Sequence, residues 1–359
     1  MILPPLAVRA ERAFEVIEDR FHLGDGQYRE SLGSDSPAFA WGHGVLLSAF
    51  VAMAQNAPSE KRRALYRTRM VRHIHTLERL YWRREGPVAG FNASAGQTTG
   101  LDRYYDDNAW FGLALYDAAE ILQDRAVLTL GHRTLDYVLS GQDARGGGGL
   151  WWKEDKRESK NTCSAAPGAV LALRAARMPG ARPDATTLAR RLRSWLQSTL
   201  RDPVDGLYWD NINAATGAVE KTKWSYNSAL PLRLEMGLAA HWRSPVYQGE
   251  AALLAEASRR RWFDPTRKLI QDDACFAHLL TEALIQASQA TGEQRFRDAS
   301  LATLDTLWAA VQRPDGVYPA KWALPPDADS KPGQLIAIAS AARAYAYSIP
   351  SQAEARQSS

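Results

Sequence analysis

Trp41-Gly42-His43-Gly44-Val45-Leu46-Leu47-Ser48-Ala49-Phe50-Val51-Ala52-Met53-Ala54 is apolar or small on nearly every face. A helix on the surface of a globular protein shows one apolar stripe, so a helix with no polar face is buried on all sides. Ala109 to Ala119 and Ile336 to Ala346 have the same texture. Between such segments lie helices with an ordinary polar face, and strand-like alternation is confined to short pieces of the connecting loops. The periodicity predicts about twelve helices, near 5–20, 37–56, 59–82, 103–123, 126–141, 160–177, 184–200, 223–241, 245–262, 270–291, 294–312 and 331–348.

The connections alternate too. Those after even-numbered helices are short, as in Gln55-Asn56-Ala57-Pro58 and Leu122-Gln123-Asp124, whereas most after odd-numbered helices are long, as in His22 to Ser36, Arg83 to Asp102 and Arg201 to Thr222. The pattern repeats at about 50–65 residues, close to the spacing of repeat architectures. A single hairpin cannot bury its apolar face, but six can close into a ring with the fully apolar helices inside. The expected fold is all-α, an (α/α)6 barrel of six helical hairpins in one domain over 1–359, with 349–359 a flexible tail. All the long loops then gather on one rim, where binding and catalytic residues tend to sit.

Those loops pair glycine with aromatics: Gly149-Leu150-Trp151-Trp152, Asp205-Gly206-Leu207-Tyr208-Trp209, Asp315-Gly316-Val317-Tyr318-Pro319. Such rings either plug the barrel mouth or offer flat faces to sugars, and 12 tryptophans suit an open sugar-binding cleft.

Composition excludes several classes. The net charge is +4, but 44 Lys and Arg are interspersed with 40 Asp and Glu, so no nucleic-acid footprint forms, and the basic runs at Lys61 to Arg69 and Arg259 to Arg261 read as solvated helix faces. Two cysteines, Cys163 and Cys275, read as small core residues and not as a disulfide scaffold. No stretch reaches the roughly 18 apolar residues of a membrane span. Met1 to Ala13 lacks the pattern of an export signal, so the expected location is cytoplasmic, or extracellular if a leader precedes this sequence. His73-x-His75 has no carboxylate partners and Gly146 to Gly149 is not followed by the Gly-Lys-Ser/Thr of a phosphate loop. Neither a metal nor a cofactor is expected; the partner is an oligosaccharide or polysaccharide, and the oligomeric state is not readable.

Candidate chemistry concentrates in Tyr104-Tyr105-Asp106-Asp107-Asn108-Ala109-Trp110-Phe111, at the start of the fourth, inner helix. Successive helical residues diverge by about 100°, so adjacent carboxylates can approach one bond from different sides. A retaining glycosidase needs two carboxyls about 5–5.5 Å apart, one attacking the anomeric carbon and one protonating the leaving oxygen. Like charges so close push one of the pair to stay protonated, while the positive end of the helix dipole favours the other as an anion. Acids in a first helical turn also serve simply to complement that dipole.

The segment Tyr-Asp-Asp-Asn-Ala-Trp resembles glycoside hydrolase family 76. Further resemblance lies in Gly148-Gly149-Leu150-Trp151-Trp152, Lys160-Asn161-Thr162-Cys163-Ser164 and Trp224-Ser225-Tyr226-Asn227, which look like that family's Gly-Gly-Gly-x-Trp-Trp, Lys-Asn-x-x-Ser and Trp-x-Tyr-Asn segments, in the same order. The resemblance runs from about Trp41 to the last hairpin. It implies an (α/α)6 enzyme acting on α-1,6-mannan with retention, with Asp106 as nucleophile and Asp107 as acid/base. Trp151, Trp152, Asn161, Ser164, Trp224, Tyr226 and Asn227 would line the cleft, joined by Trp41 and Tyr105 on the same rim. The chain departs from the family pattern at Ala165, where Asn is usual, and at Phe276-Ala277-His278, where Phe-Lys-Gly is common.

Asp272-Asp273, a second acid pair, either receives sugar hydroxyls or caps the tenth helix; Asp102 reads as the cap of the fourth. His43 and His278 raise an alternative, a sugar epimerase or isomerase of the N-acylglucosamine 2-epimerase kind, which would need histidines on the eighth and twelfth helices. A non-catalytic glycan-binding protein on the same fold is the third reading.

Overall fold

The structure, a computed structural model, describes residues 3–96, 100–180, 182–326 and 332–350. Among them twelve α-helices follow in order: α1 Leu6–Val16, α2 Ala40–Asn56, α3 Glu60–Tyr81, α4 Tyr105–Leu122, α5 Arg125–Ser140, α6 Thr162–Ala175, α7 Ala185–Thr199, α8 Ser225–Trp242, α9 Pro245–Trp262, α10 Ala274–Thr291, α11 Gln294–Thr306 and α12 Leu335–Tyr347. The proposed tail falls mostly outside the described residues.

Helices α2, α4, α6, α8, α10 and α12 pack side by side and close on themselves, α12 meeting α2, and each is backed by one outer helix, with α1 behind α12. This is the (α/α)6 barrel. Sequence composition decides which helix goes inside: α2 buries thirteen of its seventeen residues, whereas α7 buries only Ala185, Leu188, Ala189, Leu192, Trp195 and Leu196. Small residues let the inner helices approach closely. A Cβ on Gly112 of α4 would fall 2.7 Å from Leu171 of α6, closer than packed atoms come. The basic runs lie on outer helices and pair locally, Arg63 and Arg67 with Glu60, Arg259 and Arg260 with Glu256.

Inner helices begin two to four residues later than the periodicity predicts, because the residues leading into them are extended. Those entries are buried, and their backbone groups need partners. One rule supplies them around the whole ring: the first N–H of each inner helix donates to the next long loop. Ala40 donates to the Ala93 carbonyl at 2.8 Å, Tyr105 to Trp152 at 2.9 Å, Thr162 to Asp210 at 2.9 Å, Ala274 to Ala320 at 2.7 Å and Leu335 to Glu30 at 2.9 Å. In α8 the acceptor is a side chain, Asp272 Oδ2, 2.8 Å from the Ser225 nitrogen. Short antiparallel pairings, such as Ser159–Asn161 with Asn211–Asn213 and Asp272–Asp273 with Lys321–Trp322, stitch the same loops together. Below the mouth, charged pairs cross between inner helices: Arg343 makes a two-pronged pair with Glu282 at 3.0 and 2.9 Å, and Arg174 bridges Asp117 and Glu120.

Candidate active site

Asp106 and Asp107 occupy the first turn of α4, half-buried at the mouth of the barrel. Asn108 fixes that turn, its amide bonding both the N–H and the carbonyl of Phe91 at 2.7 and 3.0 Å and so clamping the preceding loop onto the helix.

The two acids differ in environment. Trp152 Nε1 donates to Asp106 Oδ2 at 3.2 Å, and the Cys163 thiol adjoins the same carboxyl. Burial pushes Asp106 up to about 6, with these donors opposing the rise. Burial pushes Asp107 well above the usual carboxylate range, the neighbouring Asp106 charge adds to the rise, and Asp102 adds a little more. Of the two, therefore, Asp106 is the one that ionises first and Asp107 the one that keeps its proton longer.

Phe276, on α10, is the hub of an aromatic wall. Tyr226 stacks on it at 4.1 Å and 13°, Trp41 at 5.7 Å and 28°, and Trp224 leans against it at 5.4 Å. Beneath the mouth a narrow axial cavity is lined by Trp41, Trp110, His278, Arg233, Glu282 and Arg343.

Several expected cleft residues are placed elsewhere. Tyr105 is fully buried, stacked on Tyr137 at 5.0 Å, behind α4 and away from the acids. Trp151 is also fully buried: its Nε1 donates to Asp143 Oδ2 at 3.0 Å, with Arg145 and Lys160 against its ring. The reason is alternation, since neighbours in an extended segment point to opposite sides; Trp152 is 41% exposed and edge-on to Tyr104. The glycines before it have positive φ, and a Cβ on Gly149 would strike the Trp195 ring at 2.6 Å. Asp272 spends its carboxylate on the backbone, Oδ2 on Ser225 and Oδ1 on its own neighbour Asp273 at 2.8 Å. It neither faces sugar nor caps α10; it ties down the start of α8. Asp102 is not a cap either but pairs with Lys153 at 2.8 Å.

Asn161 is buried and accepts from Ser159 Oγ at 2.7 Å. Ser164 is buried, its hydroxyl without a protein partner. Asn227 is buried on α8 and donates to Asp210 Oδ1 at 2.9 Å. Asp210, held from its other side by Asn211 at 2.9 Å, lies within electrostatic reach of Cys163 and Tyr226. Asp210 and Phe276 are mouth residues that the sequence reading missed. Phe276 stood out only as part of an altered motif, and Asp210 sits in a loop without helical phase; Cys163, read as a small core residue, is buried as one.

His43 is fully buried among Tyr28, His73 and Tyr81. His73, on the outer helix α3, is buried as well. The Nδ1 of His278 is 3.1 Å from the Ala274 carbonyl, and burial pushes this imidazole down to about 4. Neither His43 nor His278 adjoins the acid pair.

A closed helical barrel whose mouth combines an unlike pair of carboxyls with an aromatic wall defines a glycosidase type of protein. The sequence profile of Glycosyl hydrolase family 76 matches residues 11–334. The chain belongs to that family and is a glycoside hydrolase. No curated protein sequence matches it. Among solved structures it is similar to a family 76 α-mannanase of Bacteroides thetaiotaomicron, with 21% identity, a TM-score of 0.89 and 96% of each chain covered. A family 76 glycoside hydrolase from a bovine strain of that species is 24% identical, with a TM-score of 0.88 over 96% of this chain and 77% of the other. An inactive variant of an α-1,6-mannanase of Salegentibacter sp., in which two consecutive aspartates are asparagines, was solved with α-1,6-mannotriose. It is 19% identical, with a TM-score of 0.79 over 96% and 99% of the chains.

Proposed function

We propose that this glycoside hydrolase cleaves α-linked mannosides, α-1,6-mannan or a related oligosaccharide, with retention of configuration. The observation that carries the reading is the inequality of the two carboxyls: Asp106 receives the Trp152 N–H, while burial and the neighbouring Asp106 charge push Asp107 well above the usual carboxylate range.

Asp106 attacks the anomeric carbon as the glycosidic bond breaks, and Asp107 passes its proton to the departing oxygen. Esterification removes the negative charge of Asp106, which had raised Asp107. Asp107 then becomes a better anion and takes a proton from water as the water oxygen bonds to the same carbon, and the bond from that carbon to Asp106 breaks, which frees the sugar and returns Asp106 as the carboxylate and Asp107 in its protonated form. One electrostatic coupling thus serves both half-reactions.

Trp41, Trp152, Trp224 and Phe276 offer ring faces for sugars, and Asp210 offers an oriented carboxylate to their hydroxyls. The mannan preference is supported by the inactive Salegentibacter variant, with its altered aspartate pair and bound mannotriose. Ala165 and Ala277 supply no polar group where the family commonly has one, which favours a related but altered glycan over the linear polymer.

The test is incubation with α-mannobioses of each linkage, α-1,6-mannan and other α- and β-oligosaccharides, with product anomers followed by NMR from the first turnover. The expected result is release of the α-anomer from an α-mannoside. First-formed β product, or cleavage of β-glycosides alone, would overturn the reading.

A further inference from the structure

Trp152 reaches Asp106 by one bond, from Nε1 to Oδ2 at 3.2 Å, yet the residue is 41% exposed. Packing alone does not hold so exposed a side chain in one rotamer, so its aim depends on how its backbone is set against the start of α4. That setting is an antiparallel pairing of residues 103–105 with 152–154. The Tyr105 N–H donates to the Trp152 carbonyl at 2.9 Å and the Glu154 N–H to the Arg103 carbonyl at 3.1 Å, on either side of the bridge between Tyr104 and Lys153.

Side chains fasten the same pairing. Arg103, fully buried, forks onto Glu154, Nε to Oε2 at 2.6 Å and Nη2 to Oε1 at 2.9 Å. Its Nη1 donates to the Val88 carbonyl at 3.0 Å, its Cζ lies 4.9 Å from the centre of the Tyr137 ring on α5, and the Tyr137 hydroxyl donates to Glu154 Oε2 at 3.3 Å. Gly86, at φ 88°, leaves room for the guanidinium: a Cβ there would fall 2.8 Å from Nη2. Arg103 thus ties the loop before α4, the loop after α5 and α5 itself to one point just ahead of the acid pair. Taking both charges out of water costs about as much as their attraction returns, so such a pair contributes register more than stability.

We propose that Arg103 and Glu154 are positioning residues for Asp106: their fork fixes the pairing that aims the Trp152 indole at Oδ2. The catalytic consequence rests on the assignment of Asp106 as nucleophile; the aim of the indole can be read without turnover.

Two measurements test it. In proton–nitrogen correlation NMR spectra, the indole cross-peak lost in Trp152→Phe belongs to Trp152. It should shift towards the position of a free indole in Asp106→Ala, which removes the acceptor, and in Glu154→Gln, which keeps the shape and breaks the fork. A cross-peak unmoved in either variant would overturn the clasp, whatever Asp106 does. In pH profiles of kcat/KM on the best α-mannoside found, Glu154→Gln should raise the acid limb by about half a pH unit, a roughly threefold loss of rate below it. Added to Trp152→Phe, it should raise the limb no further, because its effect passes through the indole. An unmoved limb in the single variant, or an additive shift in the double one, would make the pair a structural brace and sink the proposal. If Glu154→Gln does not fold, Tyr137→Phe, which removes one bond to Glu154, takes its place, with a shift of the same sign expected and an unmoved limb counting against. If Asp106→Ala retains full activity, the assignment of the nucleophile fails, while the cross-peak still decides the clasp.

Discussion

Trp152, partly exposed at the mouth of the barrel, gives its indole N–H to Asp106, 3.2 Å from Oδ2, so in the proposed reaction one side chain both offers a face to sugar and supports the carboxylate. The two tasks separate in Trp152→Phe, which keeps an aromatic face and loses the donor. A hydrogen bond to a charged group contributes about 1.5–3 kcal/mol when buried; this indole is 41% exposed, so the lower end applies, about tenfold in kcat/KM. The loss should fall on kcat and raise the acid limb of the pH profile. A pure rise in KM with an unmoved limb would show that only the platform matters.

The acid pair should cost the fold stability at neutral pH. A carboxyl whose folded pKa lies above its unfolded value of about 3.9 binds protons more tightly when folded. Its contribution is complete below the unfolded value and is lost as pH rises through the folded one. For Asp106 that window runs from the unfolded value up to about 6, and for Asp107 it extends higher. Asp107→Asn has no such loss. Calorimetry should find its Tm above wild type at pH 8, with the difference shrinking towards pH 4; a difference of constant size would refute the raised pKa values.

Asp272 is the side chain that completes a ring of backbone acceptors, and its role is structural. Asp272→Ala strands the Ser225 N–H at the buried start of α8 and should cost about 1–3 kcal/mol. Asp272→Asn retains an acceptor oxygen and should recover most of it. Urea unfolding curves give both values, and equal stability of the Ala variant and wild type would count against the ring.

Phe276 should govern affinity. Phe276→Ala removes the surface against which Trp41, Trp224 and Tyr226 rest, so KM should rise several-fold more than kcat falls. Phe276→Leu, which fills space without a flat face, should recover stability but not KM. Full recovery of KM would mean that packing and not ring shape is what the wall provides.

The barrel was legible because burial on all sides leaves no room for polar residues: α2, α4 and α12 announce themselves as inner helices. The acid pair was legible by its adjacency at a helix start. What escaped were features set by partners distant in sequence. Trp151 and Trp152 are indistinguishable as letters, and an extended backbone sends one into the core and the other to the cleft. Tyr105 and Asp106 diverge in the same way around a helix. The acceptors for the inner-helix starts lie on the following loops, so the sequence near Asp272 reads as a sugar-binding pair or a cap when its target is Ser225. Phe276 matters through the three rings that gather on it, none of them near it in the chain.

The ring of helix-start hydrogen bonds also sets an order of assembly. In five of its six links the acceptor lies later in the chain than the donor, as with Ala40 and Ala93 or Tyr105 and Trp152. A hairpin emerging during synthesis is therefore completed by the one that follows, and folding can advance from the N-terminus without revisiting what is built. The sixth link runs backwards, from Leu335 to Glu30. Until α12 emerges and docks beside α2, the mouth is an open arc, with Asp106 and Asp107 already in place on α4 but unenclosed. Activity should thus appear late in translation, at the step that joins the two ends of the barrel.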